Sequence, residues 1–213
     1  LQQQQAVREH RTEEWVPLAA AEKSLPVRGG SGLIADQSQC PFRAFAHHRL
    51  NARALPDIGV ALSDSDRGSV LHDALFSLWG QLQNSATLAS FTEQQRAIAI
   101  DSAIEEALTE LRKRKHFTIA EPLLAIELQR LQVLLARWLQ LESARDDFEV
   151  LSREQNCEFE VAGLQLNLRI DRIDLLPNGR QLIIDYKSGA GQIRQWLGER
   201  PEQPQLPMYA CAL

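Results

Sequence analysis

The chain has 213 residues, 44% of them hydrophobic and 24% charged, with a formal net charge of −5. That length and apolar content fit one good core with extensions and argue against two independent domains. The acidic balance excludes a protein that coats nucleic acid by bulk electrostatics, and no run nears the roughly 18 apolar residues of a membrane span.

The Gln-rich start, Leu1 to Gln5, lacks a secretory apolar region, so a soluble, cytoplasmic protein is expected. Residues 1–32 end in Arg28-Gly29-Gly30-Ser31-Gly32 and read as an extension and linker, with the compact part, 33–213, beginning near Leu33. Within it, 33–145 reads as mainly helical and 146–213 as sheet core with C-terminal helices. The apolar pattern Leu206, Met208, Tyr209, Leu213 runs to the last residue, and with Leu1 as the first residue the sequence reads as a piece of a longer polypeptide. Cys40, Cys157 and Cys211 are odd in number and irregular in spacing, and read as small, semi-buried hydrophobes rather than a disulfide or zinc framework.

In chain order, residues 37–50 predict a short helix entered through Pro41, with Phe42 and Phe45 on its buried side. A loop is expected over 51–63, containing Pro56 and Gly59. From Asp66 to Leu82 the apolar residues Leu71, Leu75, Leu78, Trp79 and Leu82 recur at helical spacing behind a Ser-Asp-Ser-Asp stretch suited to capping. Two longer helices are expected over about 92–115 and 119–144. The first carries the stripe Ile98, Ile100, Ile104, Leu108, Leu111; the second carries Leu124, Ile126, Leu128, Leu131, Leu134, Leu135, Trp138, Leu139. Basic residues cluster at Arg43, His47, His48, Arg49, Arg53 and again over Arg112 to His116, and each cluster reads first as a solvated helix face.

Near Phe148 the period changes to two, and strands are predicted over 148–161, 164–176 and 180–187. Two short helices separated by the Pro-rich RPEQPQLP should close the chain. In the last strand, alternation sets Ile183, Asp185 and Lys187 on one face and Leu182, Ile184 and Tyr186 on the other. An acid and a lysine there must pair, reach solvent or bind something. If Pro177-Asn178-Gly179 is a three-residue loop with Gly179 left-handed, Asp171 faces Asp185 and Asp174 faces Leu182; a two-residue Asn178-Gly179 turn sets Asp171 opposite Tyr186 instead. Two facing carboxylates repel unless a proton or cation lies between them, and a hard divalent ion such as Mg²⁺ suits them. A solvent-exposed acidic edge is the plainer alternative.

These residues resemble a known family. Gly68-x-x-x-His72, then Arg169-Ile170-Asp171-Arg172-Ile173-Asp174, then Ile184-Asp185-Tyr186-Lys187-Ser188-Gly189, then Gln205-x-x-x-Tyr209 resemble the RecB/AddB-like branch of the PD-(D/E)XK nucleases. Cys40-Pro41-Phe42-Arg43-Ala44-Phe45 resembles the segment that opens such domains. The resemblance implies an α/β fold, a mixed central β-sheet flanked by helices (a restriction-endonuclease-like core) with a helical N-terminal or inserted lobe. It implies a Mg²⁺-dependent deoxyribonuclease, with Mn²⁺ as a substitute, exonuclease in preference to endonuclease. Its partners would be DNA and a helicase-like region or subunit in recombination or repair. It places metal ligands at His72, Asp171 and Asp185, a catalytic lysine at Lys187, and the remaining motif at Gln205 and Tyr209, with Glu158 an outer acid. Lys187 would position the attacking water or neutralise developing charge. An iron–sulfur cluster of the kind some relatives carry is not expected: Cys40 fits its first position, but only Cys211 follows Tyr209. Taken singly, His72 reads first as a structural histidine, whereas Gln205 and Tyr209 read equally as helix-packing residues. The rival reading is a catalytically silent DNA-binding or scaffold module of the same fold.

Overall fold

The computed structural model describes residues 30–55, 62–114, 120–189 and 191–213. Its first helix, α1 (Gly30–Gln39), starts inside the segment expected to be linker. Gly30 has φ +49°, and a Cβ there would lie 2.9 Å from the Asn167 carbonyl oxygen, so this glycine permits close docking on the sheet rather than flexibility. Then come α2 (Pro41–Ala44), a π-helical turn (Phe45–Arg49), α3 (Asp64–Leu82), α4 (Ser85–Ser90), α5 (Glu93–Arg114) and α6 (Glu121–Ser143). Ser63 caps α3 by accepting from the Asp66 amide, as the Ser-Asp run predicts. Expectations on Pro56, Gly59, Lys115 and His116 lie outside the described residues.

The long stripes pack largely as read. Leu131, Leu135 and Leu139 recur every fourth residue on α6 and are fully buried, each stabilising the fold by about 1.5–3 kcal/mol relative to exposure. Three stripe residues are exposed instead: Ile98 on α5 and Ile126 and Leu134 on α6, where the apolar pattern is wider than the face the neighbours cover. Helix α4 was not foreseen. Its six residues show no apolar period; the Asn84 side chain, accepting from the Thr87 amide, and the buried Leu88 hold it.

The expected burial of Phe42 and Phe45 is overturned. Phe42 is 75% and Phe45 48% exposed, because the small Ala44 between them takes the inward position and no described element covers the rings.

The sheet is β1 (Glu149–Val161), β2 (Leu164–Leu175) and β3 (Gln181–Ile184), ordered β1-β2-β3 and antiparallel throughout among the described residues. The α/β fold of a sheet flanked by helices is therefore present, with an antiparallel rather than mixed described sheet. Helices cover both faces. On one, α3, α5 and α6 form a core that takes in Phe148 and Tyr186; on the other, Leu166, Leu168, Ile170 and Ile173 pack with Met208 and Tyr209 of α7 (Gln205–Ala212) and with Leu33 and Ile34 of α1. A 3-10 turn, Ile193–Trp196, precedes α7.

Both hairpins have turns that fix register. Ala162 and Gly163, at φ +51° and +76°, join Val161 to Leu164 in a two-residue connection of the kind that favours paired left-handed residues. Leu176 and Arg180 close the second connection: the Leu176 amide donates to the Arg180 carbonyl, and Gly179 stands at φ +78°. The three-residue loop is the one formed, and Asp174 pairs with Leu182.

Candidate active site

The β2–β3 ladder stops at the Arg172–Ile184 pair, one step short of bringing Asp171 and Asp185 into regular pairing. The strand ends early because the Asp171 carboxylate takes the bond a backbone would otherwise make: the Tyr186 amide donates to its Oδ2 at 2.7 Å. Strict alternation fails here too. Asp171 and Arg172 both line the crevice that holds His72, Trp79, Glu154 and Tyr186.

His72, on α3, is fixed by its ring nitrogens. Nε2 lies 2.9 Å from the Tyr186 carbonyl oxygen, which can only accept, so Nε2 carries the proton. Nδ1 is left facing Asp171 Oδ1 at 3.3 Å and Glu154 Oε1 at 4.0 Å. Burial opposes charge on the ring, but the Asp171 carboxylate outweighs it and holds the His72 pKa above its ordinary value. A second proton or a cation is what this side of the ring requires.

Glu154 is the residue sequence reading missed. It sits mid-strand at φ +50°, between Arg153, which pairs with Arg172, and Gln155, which pairs with Ile170, so it lies across from Asp171. Burial raises its pKa against the lowering effect of Arg169, whose Nε is 2.6 Å from Oε2. Counting back eight residues from Ala162 finds Glu154 if the Ala162-Gly163 turn is recognised. Glu158, the acid expected here, is exposed and pairs with Asn167, away from the site.

Asp185 lies beside this group. Its Oδ2 is 3.0 Å from Lys187 Nζ, whereas its Oδ1 is buried with no hydrogen-bond partner. Burial raises the Asp185 pKa, Lys187 opposes that, and Asp171 adds to it. Lys187 Nζ also donates to Gln205 Oε1 at 2.5 Å; Gln205 Nε2 donates to the Tyr209 hydroxyl at 2.6 Å, and that hydroxyl donates to the Arg169 carbonyl at 2.5 Å. The Gln205–Tyr209 spacing thus serves a chain of bonds from β2 to the ammonium, which remains 45% exposed. Asp174 stands apart, buried between Arg172 and Arg145.

The chemistry of the donor set fits a hard divalent cation. His72, Glu154 and Asp171 offer ligand atoms all within 4.8 Å of one another, the one such group among the described residues, and the unpartnered Asp185 Oδ1 adds an oxygen donor nearby. Cys40 and Cys211 belong to no such group.

The family model of the PD-(D/E)XK nuclease superfamily matches residues 34–213. The chain belongs to this superfamily. PD-(D/E)XK nucleases use divalent metals, in keeping with the donor set, and a nuclease fold implies a DNA substrate. No curated protein matches the chain. Of the residues expected from the sequence of this PD-(D/E)XK domain, the structure brings His72 and Asp171 into one group, sets Asp185 and Lys187 beside it and links Lys187 through Gln205 to Tyr209. The sequence expectation did not include Glu154. No helix among the described residues is long and apolar enough to cross a membrane.

Proposed function

We propose that the domain is a Mg²⁺-dependent deoxyribonuclease of the RecB/AddB-like branch, an exonuclease in preference to an endonuclease. Its role would be in DNA recombination or repair, within a larger helicase–nuclease protein of the cytoplasm. The observation that carries the reading is the partly desolvated group of His72 Nδ1, Glu154, Asp171 and the unpartnered Asp185 Oδ1 beside an exposed lysine. Four groups of this kind would hold the ion through one nitrogen and several carboxylate oxygens. When bound, the ion supplies Lewis-acid stabilisation of a phosphodiester and lowers the pKa of water.

The protein's own residues do the rest. The Tyr186 carbonyl keeps the His72 proton on Nε2 and so keeps Nδ1 free to bind. The Tyr186 amide orients Asp171. Asp185 and Gln205 hold the Lys187 ammonium at the edge of the group, where it can neutralise negative charge developing on the scissile phosphate or orient the attacking water. The subtype, the repair role and the helicase partner are supported by the ordered resemblance of the His72, Asp171, Asp185-x-Lys187 and Gln205-x-x-x-Tyr209 elements.

Single-turnover digestion of linear DNA tests the reading. The wild type should cleave in Mg²⁺ and stop in EDTA, and Lys187→Ala at saturating Mg²⁺ should be slower by roughly 10² or more while retaining the metal. No cleavage by the wild type in Mg²⁺ would refute the enzyme, and an undiminished rate for Lys187→Ala would refute the role of the lysine.

A further inference from the structure

Residues 40–55, CPFRAFAHHRLNARAL, contain three arginines, two histidines and no acid, in a chain whose net charge is −5. Asp36, on α1, is engaged by three of these cations: His47 Nδ1 at 2.9 Å, His48 Nε2 at 3.0 Å and Arg43 Nε at 3.3 Å. Arg49 and Arg53 are left exposed. On the same segment Phe42 and Phe45 expose their rings, three residues apart across the junction of α2 and the π-helical turn. Two exposed aromatic rings beside exposed arginines make a surface that is both apolar and cationic, and a π-helical turn is a backbone form found often at functional sites.

The segment is joined to the candidate centre. Gln39 Nε2 donates to the Glu202 carbonyl at 3.0 Å, three residues before Gln205, which holds Lys187. A groove of about 260 Å³, lined in part by Ile34, Pro41, Glu199, Arg200 and Pro204, lies between α1 with Pro41 and the start of α7. A strand whose bases stack on Phe42 and Phe45 would meet Arg49 and Arg53 with its phosphates, on the segment that Gln39 ties to the start of α7.

We infer that Phe42, Phe45, Arg49 and Arg53 form a stacking platform for single-stranded DNA that feeds the strand toward the Asp171 centre. Only unpaired bases present the faces such rings need, whereas a duplex keeps its bases stacked inside, so charge complementarity and exposed rings together favour the single strand. The inference rests on the nuclease reading, and deepens it by naming the form of the substrate.

Fluorescence anisotropy of the whole chain with labelled oligothymidylate, and with a duplex of equal length, in EDTA tests it. Phe42→Ala with Phe45→Ala should weaken oligothymidylate binding by roughly tenfold or more and leave duplex binding almost unchanged. Arg49→Ala with Arg53→Ala should lower the salt dependence of oligothymidylate binding by about 1.4, roughly 0.7 for each lost phosphate contact. Both variants should keep wild-type Mn²⁺ affinity and unfolding temperature. Undiminished oligothymidylate affinity after removal of both rings, or equal losses for single strand and duplex, would overturn the platform. A wild type that binds oligothymidylate through these rings yet binds no Mn²⁺ and cleaves nothing would leave the platform standing and overturn the nuclease reading instead.

Discussion

Glu154 holds a backbone angle, φ +50°, that costs an L-residue about 1 kcal/mol or more, and it does so opposite a second carboxylate. Strain and like charge at one position make sense if the side chain is kept for binding. Glu154→Gly should therefore raise resistance to denaturant by about 1 kcal/mol while weakening Mn²⁺ binding. Denaturant titration and calorimetry on the same variant check it; lower stability with unaltered Mn²⁺ affinity would make Glu154 a structural residue. Several residues of the candidate site were legible in the sequence because their spacing is chemical: Asp185 and Lys187 two apart just past the end of β3, Gln205 and Tyr209 one turn apart on a helix. Glu154 was not legible by alternation, since a left-handed residue breaks the two-residue period on which that reading depends. Nor could the pattern show that the Asp171 carboxylate would end β3 by capturing the Tyr186 amide.

The hairpin β2–β3 divides its acids between two tasks. Asp171 goes to the His72 group; Asp174, fully buried, accepts from Arg172 Nε at 2.6 Å and Nη2 at 2.7 Å and from Arg145 at 2.9 Å. The Arg172 guanidinium is 1% exposed, lies 3.6 Å from the centre of the Trp79 ring and reaches Glu142 at 3.2 Å. Burial works against its charge, but Tyr186, Asp174 and Glu142 prevail and raise its pKa. Removing one member of such a network leaves a buried charge without compensation. Asp174→Asn should cost about 3–5 kcal/mol in chemical denaturation yet spare Mn²⁺ binding wherever the protein remains folded. Loss of Mn²⁺ affinity in folded Asp174→Asn would assign the wrong carboxylate to the cation. The three-residue loop foretold this split through Gly179, and the helices α3, α5 and α6 were legible through their long periods. The exposed Phe42 and Phe45 were misread, because an apolar period states which residues share a face and not whether a neighbour covers it.

Taken together, the molecule sets two cores on opposite faces of a three-stranded sheet, helices α3, α5 and α6 on one and α1 with α7 on the other. Their meeting line passes the end of the β2–β3 ladder: His72 comes from the first layer, Gln205 and Tyr209 from the second, and Asp171 from the strand between them. The candidate centre thus depends on packing from both sides, which explains why single motifs carried little meaning until their order was considered as a whole. Net charge misleads about DNA for the same reason, since the carboxylates are gathered where a cation would offset them. The decisive measurement is a calorimetric titration of the wild type and Asp171→Asn with Mn²⁺. Saturable binding by the wild type that disappears in a folded Asp171→Asn is expected; a wild type that binds no Mn²⁺, or an Asp171→Asn protein that binds it with wild-type affinity, would contradict the centre described.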